Sequence, residues 1–251
     1  MDSTWIESSY LGRRREPRMS MSQPERFEFK VTVLPEQEHL VRAQLKEQGA
    51  EMGMREVYFY DTPGGDLQAR SLYLRARTTE GEDPDSTVKL RPLRTVEIPE
   101  DWKGADYRYE ADVIAGKDIA SLKLDNLNGE VDEDDVGDKD AKKLFGKAQA
   151  ERLKVDLGEL VPLGPVHAHL WELEYDTLPK KLAVEEWTVS GGPHFIELSF
   201  KVKPDQKAAA GQAFGALLAD LGIDPKGDPD PKTTRVLEFF AGKLRATVRL
   251  R

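Results

Sequence analysis

Apolar and polar residues alternate with a period of two along much of the chain, the spacing at which successive strand side chains point to opposite faces. In residues 26–33, Arg26, Glu28, Lys30 and Thr32 share one face, while Phe27, Phe29, Val31 and Val33 share the other. Tyr73, Arg75 and Arg77 oppose Leu72, Leu74 and Ala76, and Lys89 and Arg91 oppose Val88 and Leu90. Asp106, Arg108, Glu110 and Asp112 oppose Tyr107, Tyr109, Ala111 and Val113. Near the end, Glu197, Ser199 and Lys201 oppose Ile196, Leu198, Phe200 and Val202. The repetition predicts an α+β domain, mainly β, with one charged and one apolar face on each strand.

Helices are predicted around this sheet. Pro35 sits where a first-turn proline is tolerated, Leu40, Val41 and Leu45 form an apolar stripe, and Gly49 ends it. Residues 139–153, 205–221 and 233–244 also have helical character, the last after a Pro/Gly/Asp-rich loop at 224–231. Residues 79–86 are expected as a polar hairpin loop and 128–140 as an acidic loop. Residues 1–24, without an apolar period, are expected as a disordered leader, followed by one domain over 25–245 and a short tail at 246–251.

Two arrangements satisfy the alternation. An open antiparallel sheet can pack its apolar face on helices and wet its charged face. Alternatively, the sheet closes into a barrel that encloses the charged face and removes the strand edges. Acids interleaved with bases would relieve repulsion inside such a lumen and offer hard oxygen ligands to a cation. Guanidinium and ammonium groups would grip phosphate oxygens.

Composition narrows the classes. With 251 residues and a net charge of −9, the chain can bury a substantial core and lacks the basic footprint of a nucleic-acid binder. No run of about 18 uncharged apolar residues exists for a membrane span. Arg13, Arg14 and Arg15 precede no apolar stretch, which argues against a secretory signal. Cysteine is absent, which removes thiolate chemistry and disulfides and fits the expected cytoplasmic location. Oligomeric state is left open.

The ordered motifs resemble those of CYTH domains, the triphosphate tunnel metalloenzymes. Arg26-Phe27-Glu28-Phe29-Lys30 is similar to the family's opening ExExK. It is followed by Tyr58-Phe59-Tyr60-Asp61-Thr62 with Leu72-Tyr73-Leu74-Arg75-Ala76-Arg77, by Thr87-Val88-Lys89-Leu90-Arg91 and by Phe195-Ile196-Glu197-Leu198. Pro231-Lys232-Thr233-Thr234-Arg235-Val236-Leu237 resembles the closing segment. The resemblance implies a closed, eight-stranded antiparallel β-barrel and a triphosphate-containing small molecule as ligand. It also implies Mg²⁺ or Mn²⁺ as cofactor. On it, Lys30, Arg75, Arg77, Lys89, Arg91, Arg108 and Lys201 bind phosphates, and Glu28, Glu197 and Asp112 ligate metal. Lys30 and Glu110 would be catalytic. Hydrolysis of inorganic triphosphate, thiamine triphosphate or a nucleotide is the expected activity. Binding without turnover and adenylate cyclisation are the alternatives.

The departures from the family pattern fall on its acids. Arg26 replaces the first Glu of ExExK, and Ser199 replaces the second carboxylate of the late acidic pair. Residues 164–177 hold no Lys or Arg where the family places bases, but contain His167 and His169, which share a face. Those histidines are expected to be structural or to contact phosphate, because two ligands do not close a metal site. The run 130–135 lacks the order of a calcium loop, Gly64-Gly65 is expected as a hairpin turn, and Trp171 and Trp187 as packed strand positions.

Overall fold

The computed structural model describes residues 23–94, 98–103, 105–126, 131–228 and 232–249, with side chains to residue 244. The leader expected at 1–24 therefore lies almost wholly outside the described residues. Nine strands close into a barrel in the order β1-β5-β6-β4-β3-β2-β7-β8-β9. They are β1 (Arg26–Thr32), β2 (Gly53–Asp61), β3 (Leu72–Thr79), β4 (Glu82–Leu90), β5 (Arg108–Ile114), β6 (Lys117–Asn126), β7 (Val161–Leu173), β8 (Leu182–Thr188) and β9 (His194–Val202). The helices are α1 (Glu38–Gln48), α2 (Asp66–Ala69), α3 (Lys147–Leu153), α4 (Lys207–Asp220) and α5 (Lys232–Arg249).

Closure with flanking helices matches the barrel expectation, but the count and the pairing differ from it. The barrel has nine strands, and β1 runs parallel to β5, with Glu28 opposite Asp112, while every other pair is antiparallel. Alternation identifies faces, not partners, so it could not reveal that β1 seals the barrel against a strand about 80 residues away.

Both outer flanks of the barrel are dry. Phe27, Phe29, Val31, Phe200 and Val202 pack under Val41 of α1 and Ala210, Phe214 and Leu217 of α4. The Phe29 and Phe200 rings stack at 5.4 Å and Phe214 meets both edge-on. Each such side chain contributes about 1.5–3 kcal/mol by burial. On the other flank Leu72, Leu74, Ala76, Val88, Leu122 and Leu124 pack against α2, α3 and Trp102. Helix α1 ends as expected at Gly49, whose φ of 60° is the left-handed conformation glycine adopts without strain.

Four local expectations are corrected. Residues 79–86 are not a loop: β3 runs to Thr79, Gly81 turns the chain, and β4 begins at Glu82, so Asp85 is a strand residue. Gly64-Gly65 leads into α2 and is no hairpin turn, and the Asp61 carboxylate accepts the backbone N–H groups of Thr62, Leu67 and Gln68. Only Lys147–Leu153 of the expected 139–153 helix is α-helical, because Gly146 starts it afresh, its N–H donating to Gln149 Oε1 at 3.0 Å. The last helix, expected to end at 244, continues to Arg249. Among the described residues no helix is long and apolar enough to cross a membrane.

Candidate active site in the barrel lumen

The barrel encloses a cavity of about 1570 Å³. Because alternate residues of a strand face inward, the charged sets identified from the sequence converge there. Glu28, Lys30, Arg75, Arg77, Lys89, Arg91, Glu110, Asp112, Glu197 and Lys201 all line it. Arg108 shares the face of Glu110 but is not among the lining residues; its guanidinium pairs with Asp125 and stays about one-third exposed. Arg26 and Ser199, the two departures, also line the cavity, Arg26 opposite Glu110 and Ser199 opposite Lys30.

One knot of charge centres on Lys30. Its ammonium lies 3.2 Å from Glu28, 3.9 Å from Glu197 and 4.0 Å from Asp112. Burial alone would neutralise Lys30, but those carboxylates outweigh it and hold the amine firmly protonated. Asp112 receives Lys89 at 3.5 Å and Arg91 at 3.0 Å as well. Burial would raise its carboxyl, yet Lys30, Lys89 and Arg91 together press it far below the ordinary carboxylate range. Glu28 is shifted the same way, with Lys30 and Lys201 overcoming burial.

A second knot lies on the β3–β4–β6 wall. Arg75 contacts Asp85 at 3.4 Å, Arg77 also pairs with Asp85, and Lys123 meets Asp125 at 2.9 Å. Burial and the neighbouring guanidiniums Arg75 and Arg108 pull the Lys123 ammonium down to about 6 despite Asp125. Burial and Arg77 lower Arg75 to about 10.

Several lumen residues escaped the sequence reading. Lys123 lay in the alternating run Leu122-Lys123-Leu124-Asp125, a legible signal that was passed over. Arg55 pairs with Glu185 at 2.9 Å, and Lys232, from the start of α5, bridges Glu185 at 2.7 Å and Glu197 at 2.8 Å. Lys232 is brought in by the chain path: Asp228 N–H donates to Thr32 O at 2.8 Å, and a Cβ on Gly227 would stand 2.3 Å from that oxygen. Only glycine fits there.

The lumen is charged over part of its length only. Val57, Phe59, Val166, Ala168, Trp187 and Phe195 share the inward face and cluster with Val236 and Leu237 of α5, which packs into this end. The β7 strand thus contributes apolar groups, while its histidines point outward. His167 pairs with Glu56 at 3.2 Å and His169 with Glu186 at 3.6 Å, so neither contacts phosphate in the lumen. Trp187 is packed as expected and Trp171 is partly buried. Asp132 to Asp134 of the acidic run are exposed.

Among the described residues no three His, Asp or Glu side chains come close enough to hold a metal ion by themselves. The donor set nevertheless suits an ion that arrives on phosphate. Asp112 Oδ1 is buried without a hydrogen-bond partner, and Glu28 stands directly opposite it across the parallel pair. Mg²⁺ is commonly held by one or two carboxylates with substrate phosphates completing the shell. Glu197 is the weaker of the expected ligands, being engaged by Lys232.

A closed barrel with a lumen of interleaved acids and bases defines the class: a β-barrel with a charged interior cavity. No known family profile matches the sequence, and no curated protein matches it. Among solved structures the chain is similar to an adenylyl cyclase candidate from Hippeastrum described as having a dominant triphosphatase activity. The two share 15% identity over 84% of this chain and 94% of that one, with a TM-score of 0.58. A candidate adenylate cyclase from Bacillus halodurans shares 16% identity over 84% and 98%, with a TM-score of 0.55. The fold is that of the CYTH barrel.

Proposed function

We propose that the protein hydrolyses a triphosphate-containing small molecule, bound in the lumen with Mg²⁺ or Mn²⁺. The observation that carries this reading is the convergence of Lys30, Arg75, Arg77, Lys89 and Arg91 on one cavity. The triphosphatase activity described for the Hippeastrum protein of like fold supports it. Guanidinium groups of Arg75, Arg77 and Arg91 bind non-bridging phosphate oxygens in paired fashion, and Lys30 and Lys89 add point charges. Fixed in place before the reaction, they stabilise charge that develops on the transferring phosphoryl group. Glu110, buried on the same face, orients the attacking water. Glu28 and Asp112 would hold the metal carried by the phosphates, which polarises the phosphoryl group.

Purified protein is incubated with inorganic triphosphate, thiamine triphosphate and ATP plus Mg²⁺ or Mn²⁺. Phosphate release is expected from at least one, reduced about 10²–10³-fold in Lys30→Ala or Arg75→Ala, the loss typical of one transition-state donor. No release above those variants sinks the catalytic reading. Tight binding without release would instead favour a binding module whose acids were lost at Arg26 and Ser199, and cyclic AMP from ATP would indicate a cyclase.

A further inference from the structure

We propose that Lys123 completes a second phosphate subsite with Arg75 and Arg77 on the β3–β4–β6 wall. The proposal rests on the reading of the lumen as a triphosphate site and assigns it a further residue. On this wall four cations, Arg75, Arg77, Arg108 and Lys123, share two carboxylates, Asp85 and Asp125. Asp125 is further engaged by the Thr87 hydroxyl, which donates to Oδ1 at 2.9 Å. Arg75 Nε is buried without a hydrogen-bond partner although its side chain lines the cavity. Arg75 Nη2 reaches Asp85 at 3.4 Å and the Thr87 hydroxyl at 3.3 Å. An Nε–H that has given up water and found no acceptor leaves the arrangement incomplete, and an anion supplies what is lacking.

Lys123 is placed to join it. It lies opposite Lys89 on β4 and opposite Arg108 on β5, with its side chain only 15% exposed. Glu110 of β5 and Lys201 of β9 also act on it. Its ion-pair partner, Asp125 at 2.9 Å, is shared with Arg108 and the Thr87 hydroxyl, so the cations around the amine outnumber the carboxylates available to it. Its lowered proton affinity agrees with this, and a bound phosphate would restore the ammonium. Binding is therefore accompanied by proton uptake, which a purely structural lysine would not produce.

Isothermal titration of inorganic tripolyphosphate into the full chain at pH 7.5 with EDTA, in two buffers of different ionisation enthalpy, tests the assignment. The wild type is expected to bind with net proton uptake. Lys123→Met is expected to bind at least tenfold more weakly, and Lys123→Arg within about threefold of the wild type but with reduced uptake. Unchanged affinity and proton count in Lys123→Met overturn the subsite while leaving the reading of the lumen intact. If Lys123→Met does not fold, unchanged uptake in Lys123→Arg overturns it equally. A wild type that does not bind tripolyphosphate overturns both.

Discussion

Two parts of the lumen are built from the same kind of inward strand face, yet one is charged and the other is apolar. Around Lys30 and Asp112 every inward position of β1 and β5 carries a polar or charged group, apart from Ile114 at the rim. Around Trp187 the inward positions of β2, β7 and β8 are Val57, Phe59, Val166 and Ala168, and Val236 and Leu237 of α5 fill the space between them. The charged part is tied together by ion pairs around Lys30 and Asp112; the apolar part is filled by packing. A barrel can therefore carry a dry core inside its lumen and a wet site beside it, with α5 serving both. Lys232 faces the charges and Leu237, little more than a turn later, faces the core.

This comparison can be tested in each part and outside the barrel. Truncating the dry part should have the largest effect on stability. Leu237→Ala, at a position 4% exposed, is expected to lower the unfolding free energy by about 2–5 kcal/mol. Urea denaturation measures it, with affinity for tripolyphosphate in the folded protein staying within about twofold. A large loss of affinity with little loss of stability would show that α5 serves the site instead of the core.

In the charged part the effect depends on pH. The carboxyl of Asp112 is held below its unfolded value, so the stability it lends is complete above the ordinary Asp pKa of about 4 and is lost as pH falls through the folded value. Between pH 7 and pH 3 the wild type should lose on the order of 1 kcal/mol through this group, and Asp112→Asn should flatten that slope. Denaturation at a series of pH values decides it; identical slopes would place the acid sensitivity elsewhere. The smallest change is expected outside the barrel. His167 and Glu56 form an exposed pair, so His167→Ala should shift stability by less than about 0.5 kcal/mol and leave phosphate release untouched.

How much of this was legible follows from the same contrast. Where inward positions are charged, as in Glu28-x-Lys30 and Arg75-x-Arg77, alternation gave the shared face and the family resemblance its closure, and ten of the eleven predicted site residues line the cavity. Where they are apolar, both faces of a strand look alike, so Val57 and Phe59 could not be told from outward core. Arg55 and Lys232 were hidden for other reasons. Arg55 stands alone in a strand whose other inward residues are apolar, and Lys232 sits on a helix, where strand periodicity does not apply. Asp85 was lost to a polar stretch that looks like a loop but pairs with β3, Asp85 standing opposite Arg77. The strand count was beyond alternation because a parallel closure between β1 and β5 leaves no local signature.

The seating of α5 in the barrel has a consequence for traffic. Val236, Leu237 and their apolar neighbours fill space that a bound anion would otherwise reach, so α5 narrows the lumen on that side. Under the proposed hydrolysis, cleaved phosphate would have to leave the cationic walls before another chain enters, so product retention would bear on the pace of turnover.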